Sequence, residues 1–493
     1  MIKLKKFYIT TAIDYVNAKP HVGHAYEKVI ADIIARWHRL KGEKVFYLTG
    51  TDENAQKNSQ AAREAGVPIR GFVDRNVGFF KDLCKILNVS NDYFIRTTES
   101  RHVRVSQEIF KKVLAGGDIY KGFYEGLYCE GCEGYLTEKE LVDGKCPEHQ
   151  KPPKPLREEA YFFRLSKYKE QVVKLLESQT FVLPKEKRNE MLARIGSDDL
   201  KDLCISRKGL DWGIDIPGDK SHKIYVWFDA LINYVSALDY PDGERFREFW
   251  PADVHLIGKG INWFHSVIWP AMLISAGIEP PKTILVHGYL TVNGQKISKS
   301  LGNQIDPVEI VKKYGADPVR YLFAREIPFG EDGDFSEQAL KDRLNNELAN
   351  DLGNLLSRVV TLIENSFAGN IPKGRSDQKL NRGLNIRGIE RYMDGFELHN
   401  ALAEIWSFIR ACNRYINDKE PWTLGGKELE NVLYTLADSL RIISILLSPF
   451  IPQTAENINS QLGLKAGSLK DVKLGLLRGG RVKKGEHLFG KVK

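Results

Sequence analysis

Residues 5–40 read KKFYITTAIDYVNAKPHVGHAYEKVIADIIARWHRL, and the order of their patterns decides the fold class. The stretch KKFYITTAIDY is a short apolar run of strand-forming residues. After it, Val29, Ile30, Ile33, Ile34, Trp37 and Leu40 recur at helical spacing and make one apolar face. His21 and His24 fall where strand hands over to helix. A second apolar strand, KVFYLTGTD at 44–52, follows, and then helices around 54–66 and 68–88. Strand–helix–strand order of this kind predicts an α/β protein with a doubly wound parallel sheet. Ligands of such sheets bind beyond the carboxyl ends of the strands, near helix N-termini. Two imidazoles there can donate to phosphate or ribose oxygens, and Gly23 lets a flat base approach the backbone.

The chain has 493 residues, too many for one ordinary core. Its 42% hydrophobic and 28% charged residues are those of a soluble globular protein. No apolar run approaches the roughly 18 residues of a membrane span. The basic-then-apolar start is short and lacks a small-residue cleavage site, so it reads as the first strand rather than a signal peptide, and a cytoplasmic location is expected. The net charge is +8, and residues 470–493 carry eight Lys or Arg against two acids. Such a basic tail is either a solvated end or the mark of a protein that handles a polyanion such as RNA.

A second apolar series, KIYVWFDALINYV (223–235), DVHLIGKGINWFHSVIWPAMLISAG (253–277) and TILVHGYLTVNG (283–294), reads as the second half of the sheet. The expected layout is a catalytic first half at 1–118, an insertion at 119–210, a second half at 211–335 and an all-α helical domain at 336–493. Within 292–307, VNGQKISKSLGNQIDP, Lys296 and Lys299 flank Ile297 and Ser298, and Gly294 and Gly302 bracket a loop able to move. Lysines in such a loop suit a reaction that builds charge on a triphosphate. Taken alone, KISKS would be a solvated turn.

Six cysteines are present. Cys84, Cys204 and Cys412 are scattered, whereas CEGCEGYLTEKELVDGKCPEHQ separates Cys129 from Cys132 by two residues and Cys146 from His149 by two residues. Two such pairs supply the four ligands of a closed tetrahedral zinc site, and a site with no open position is structural.

HVGH and KISKS together, in this order, resemble the HIGH-type and KMSKS-type signatures of class I aminoacyl-tRNA synthetases. TAIDYVNAKPHVGH, LTGTDENAQK, YVWFDALINYV, LIGKGINWFHSVIWPAML and VHGYLTVNGQKISKSLGN carry the resemblance, over nearly the whole chain, to the methionyl-tRNA synthetases. The resemblance implies a Rossmann-type sheet with an inserted zinc-knuckle connective domain and a helical anticodon-binding domain. It implies that His21, Gly23 and His24 bind ATP with Lys296, Ser298 and Lys299, the histidines and lysines acting in catalysis. It also implies a methionine pocket of Ile13, Tyr15, Trp227, Ala230, Leu231, Tyr234 and His265, with Asp52 on the substrate ammonium. An unbranched thioether is best recognised by shape and sulfur–aromatic contact, which agrees with that lining. Gly260 departs from relatives, which often have an acidic residue there.

In the helical region, Asn354 and Arg358 stand at i and i+4, and Trp422 follows a proline at a helix end. In the family, residues so placed read the CAU anticodon, by base-edge hydrogen bonds and by stacking. The implied partners are L-methionine, ATP with Mg2+, one structural Zn2+ and tRNA(Met), with no membrane. A monomer is expected, since the helical part runs almost to the end of the sequence. A synthetase for leucine, isoleucine or valine would need a larger insertion for editing. A small-molecule nucleotidyltransferase would need neither the knuckle nor the helical domain. A non-enzymatic zinc-containing RNA-binding protein would leave both catalytic motifs idle.

Overall fold

A computed structural model describes residues 4–131, 134–136, 138, 141–197, 199–292, 294–296 and 305–492. Its centre is a six-stranded sheet. The strands are β1 (Lys6–Tyr15), β2 (Lys44–Asp52), β3 (Tyr93–Arg96), β4 (Val182–Leu183), β5 (Val254–Gly258) and β6 (Ile284–His287). They lie in the order β3–β2–β1–β5–β6–β4, and every pairing is parallel. Strand order reverses between β1 and β5, and that switch point is where an open α/β sheet opens a crevice at its carboxyl edge.

Helix α1 (Val22–Leu40) crosses from β1 to β2 with Val29, Ile30, Ile33, Ile34 and Trp37 buried, as the periodicity predicts. It is also tied to the helical part of the chain. Arg320, fully buried, pairs with Asp32 of α1 at 2.8 Å and donates to the carbonyls of Leu87, Pro449 and Phe450. A buried guanidinium is tolerated only when its donors are matched in this way. Trp37 Nε1 donates to Asp394 Oδ1, and Lys41 pairs with the same carboxylate.

The stretch 119–210 does not stand wholly apart from the sheet. Strands Ile119–Cys129 and Lys154–Phe163 form an antiparallel hairpin, but β4 joins the edge of the central sheet, with Ile284 paired to Val182. A two-residue strand carries no alternation, so the sequence pattern could not reveal it. KIYVWFDALINYV likewise is not a sheet strand throughout. A strand of an outlying three-stranded sheet ends at Ile224, and Val226–Leu231 and Asn233–Ser236 are helical. An unbroken apolar run has no period with which to separate buried strand from buried helix.

Beyond Phe335 the described elements are helices, joined by one isolated bridge between Asn370 and Arg481. That bridge belongs to the basic tail, which folds back on the helices rather than projecting. Val482 N donates to Gly369 O, Lys484 N to Glu364, and Val492 exchanges two hydrogen bonds with Asn345. No helix among the described residues is long and apolar enough to cross a membrane.

Candidate active site

The first turn of α1 is built by its two histidines. His21 is the extended N-cap residue, and its Nδ1 accepts from Gly23 N at 3.1 Å. In return His24 Nδ1 accepts from His21 N at 3.0 Å, so two otherwise orphaned backbone donors are satisfied reciprocally. Because each Nδ1 is an acceptor, the hydrogen-bond pattern assigns the imidazole proton to Nε2 in both rings. Their centroids are 3.9 Å apart. Gly23 leaves room for the His21 ring, since a Cβ there would lie 2.9 Å from His21 Cε1.

Burial, then the neighbouring His24, pushes the His21 pKa down to about 3. Burial, then Lys28, brings His24 to about 3 as well. Both rings are therefore neutral near pH 7 and act as hydrogen-bond donors through Nε2. Lys28 is buried beneath them, 2.7 Å from Asp14 and 3.2 Å from Glu27, and Glu27 meets His287 at 3.2 Å. Its charge is thus neutralised from within the fold.

A cavity of about 1130 Å³ opens at the carboxyl edge of the sheet. His21, Gly23 and His24 line it. So do Ile13, Tyr15, Asp52, Trp227, Ala230, Leu231, Tyr234 and His265, brought together from four separate stretches of chain. Trp227 stacks on Phe264 with ring centroids 3.8 Å apart and planes 10° from parallel. Deeper in, Tyr234 Oη donates to His265 Nε2 at 2.7 Å, and His265 Nδ1 donates to Ile261 O at 3.0 Å. Burial lowers His265 to about 4, which keeps it neutral in this chain. Asp52, at the end of β2 and almost fully buried, accepts from Asn54 N at 3.1 Å. The cavity thus offers an aromatic slot, a buried carboxylate and the paired imidazoles. Lys296 pairs through its backbone with Thr291 in a short hairpin, whereas Ile297, Ser298 and Lys299 lie outside the described residues.

The chain matches the family model for class I tRNA synthetases (M) over residues 7–155 and 149–360, and that for the anticodon-binding domain of tRNA ligase over 384–473. A methionine–tRNA ligase of Caldanaerobacter subterraneus is 48% identical over 99% of this chain and 79% of its own length. The methionine–tRNA ligase of Thermotoga maritima is 47% identical, with 99% and 80% covered. Among solved structures, methionyl-tRNA synthetase of Mycobacterium tuberculosis in complex with methionyl-adenylate superposes with a TM-score of 0.95 at 38% identity, covering 99% of this chain and all of that one. The chain belongs to the methionine–tRNA ligase family.

As a class I member of that family, the chain has the α/β architecture with a helical C-terminal part that its sequence predicts. Its cavity contains more than the sequence pattern singled out. Ile261, Phe264 and Ile268 share the cavity wall with His265. Their spacing of 261, 264, 265 and 268 is one helical face and was the available signal. Around Phe264–Ile268 the helix widens to a π turn, a distortion common at functional sites.

The cysteine cluster of this methionine–tRNA ligase homologue stands next to the cavity. Cys129 Sγ, Cys146 Sγ and His149 Nδ1 lie within 4.8 Å of one another. The two sulfur–nitrogen distances are 3.9 and 3.5 Å. A tetrahedral zinc with ordinary bond lengths has sulfur–nitrogen edges of about 3.6 Å, so the three described groups fit that ion. Cys132 lies outside the described residues. Gly131 lets the His149 ring approach, because a Cβ there would come within 2.3 Å of it. Cys146, Pro147 and Glu148 line the cavity itself.

In the helical region, Asn354 is exposed one turn before Arg358 on the helix Asn354–Phe367. Arg358 lies 5.9 Å from the Trp422 ring and donates to Asn417 Oδ1 at 2.8 Å. Trp422 is 56% exposed, and none of the three residues lines the cavity.

Proposed function

We infer that the chain activates L-methionine with ATP to methionyl-adenylate and transfers the methionyl group to tRNA(Met). The reading rests above all on the interlocked His21–His24 pair opening onto the same cavity as the Trp227–Phe264 slot. Methionine lies with its thioether among Trp227, Phe264, Ile13, Tyr15, Ala230 and Leu231, and the Tyr234–His265 pair closes the end. Asp52 takes the ammonium group. One carboxylate oxygen attacks the α-phosphorus in line, the bond to the bridging oxygen breaks, and diphosphate departs. The carboxylate is already a nucleophile, so no general base is required, and catalysis is positioning together with stabilisation of phosphate charge.

His21 and His24 serve that purpose as neutral Nε2–H donors at the N-terminus of α1, where the helix dipole also favours an anion. Gly23 gives the nucleotide access to the backbone. Lys296, Ser298 and Lys299 grip the departing phosphates, and magnesium enters with ATP as the substrate complex. In the second step a ribose hydroxyl of the terminal adenosine attacks the methionyl carbonyl, and AMP leaves. Cys129, Cys132, Cys146 and His149 would hold one zinc, whose role when bound is to cross-link the knuckle beside the cavity. Asn354, Arg358 and Trp422 present base-edge donors and a stacking ring to the unpaired anticodon. We further propose that the catalytic domain comprises 1–118 and 211–335, with 119–210 inserted and 336–493 reading the anticodon. The protein acts as a cytoplasmic monomer. Charging of tRNA transcripts tests the whole reading: a CAU anticodon is preferred over altered ones, and equal charging of both would overturn it.

A further inference from the structure

Gly23, Gly258, Gly260 and Gly288 are among the residues that line the cavity, and Gly260 is constrained in a way that its sequence context does not explain. β5 ends at Gly258, and the turn Lys259–Ile261 sets Gly260 on the cavity wall. A Cβ at Gly260 would lie 2.3 Å from the hydroxyl oxygen of Tyr289. The phenol therefore occupies the space that any side chain at 260 would need.

Tyr289 is 41% exposed, and its backbone is held on both sides. Its N–H donates to Asp332 Oδ1 at 2.8 Å, and its carbonyl accepts from Gly333 N at 2.9 Å. Lys259 Nζ stands 4.5 Å from the ring centroid and is itself paired with Asp332 at 2.6 Å. A rigid aromatic body with a polar tip, fixed at the wall of a cavity, is suited to recognition rather than to filling a core.

The proposed function places phosphates at His21 and His24 and methionine at Trp227; Gly258, Gly260 and Tyr289 reach the same cavity at the carboxyl ends of β5 and β6, beside the switch point where open α/β sheets take their ligands, and the nucleoside lies along them. A ribose offers two neighbouring hydroxyls, and a phenol can both donate to and accept from them. We propose that the Tyr289 hydroxyl reads the ribose of ATP, and that residue 260 is glycine because the phenol stands where its side chain would be. This rests on the cavity being the ATP and methionine site.

The test is methionine-dependent ATP–diphosphate exchange by the full-length protein with ATP, 2′-deoxy-ATP and 3′-deoxy-ATP. The native protein prefers ATP to at least one deoxy analogue by roughly three- to tenfold in kcat/KM, the span of one neutral hydrogen bond. Tyr289→Phe abolishes that preference and raises the KM for ATP by the same factor, while the KM for methionine is unchanged. Gly260→Ala impairs exchange in the native background, and adding Tyr289→Phe restores it to the level of the single phenylalanine variant. Overturning results are a native enzyme indifferent to both deoxy analogues, a Tyr289→Phe variant that keeps the preference, or a defect confined to tRNA charging, which would place the phenol on the terminal adenosine. Absence of methionine-dependent exchange in the native protein would instead remove the underlying reading of the cavity.

Discussion

Replacing His21 separates the two tasks its ring performs. Nδ1 caps α1 by accepting from Gly23 N at 3.1 Å, and in the proposed reaction Nε2–H donates to the phosphates. Asparagine keeps an acceptor near the Nδ1 position and is among the best N-cap residues, but it has no donor near Nε2. Alanine loses both. One donor aimed at charge that develops in the transition state is worth about 3–4 kcal/mol, or roughly 100- to 1000-fold in rate. A cap is worth about 1 kcal/mol of stability. His21→Asn therefore slows single-turnover adenylate formation by about two to three orders of magnitude, with little change in methionine affinity or in the urea midpoint. His21→Ala shows the same rate loss and a lower midpoint. His21→Gln, whose amide reaches further, recovers part of the rate. The acid dependence follows the same geometry. Burial holds the ring near a pKa of about 3 against an ordinary 6.5, so its contribution to stability is fully present above about pH 6.5 and is lost as pH falls from there toward 3. The exchange rate accordingly shows no titration of this ring between neutral pH and about pH 5. A His21→Asn variant with native exchange, or one as destabilised as His21→Ala, would refute the assignment of donor and cap.

The other expectations follow from neighbouring groups. Trp227→Ala removes the partner of Phe264 and raises the KM for methionine at an unchanged KM for ATP; the reverse pattern would make Trp227 a core residue. Elemental analysis after chelator-free purification shows about one zinc per chain, and Cys146→Ala with His149→Ala removes it; full retention would contradict the ligand set. Arg358→Ala and Trp422→Ala leave diphosphate exchange near native and weaken charging of a CAU tRNA, the tryptophan by about 1–3 kcal/mol of stacking. Parallel loss of both activities would reduce these residues to structural ones.

Much of the candidate site was legible because its residues sit at the ends of patterned elements. His21 and His24 mark the start of a helix whose apolar face is unmistakable, and Asp52 ends a strand. What could not be read is how the parts lock together. Reciprocal capping by two imidazoles requires coordinates, because either ring could have pointed outward. The pairing of Trp227 with Phe264 joins residues from different elements, and no local period announces it. β4 escaped because two residues carry no alternation, and the helices after Ile224 were hidden in an unbroken apolar run. The basic tail was read from charge alone, whereas Val482, Lys484 and Val492 hold it through backbone hydrogen bonds to which charge is blind. Gly260 looked like a missing acid in sequence and is a space filled by Tyr289 in three dimensions.

The central claim is that one cavity takes both ATP and methionine, and amino-acid-dependent ATP–diphosphate exchange measures it directly. Run without tRNA across the twenty standard amino acids, exchange with methionine is expected to be far above that with leucine, isoleucine and valine, and absent without an amino acid. Exchange that favours another amino acid, or that proceeds with no amino acid present, would contradict it.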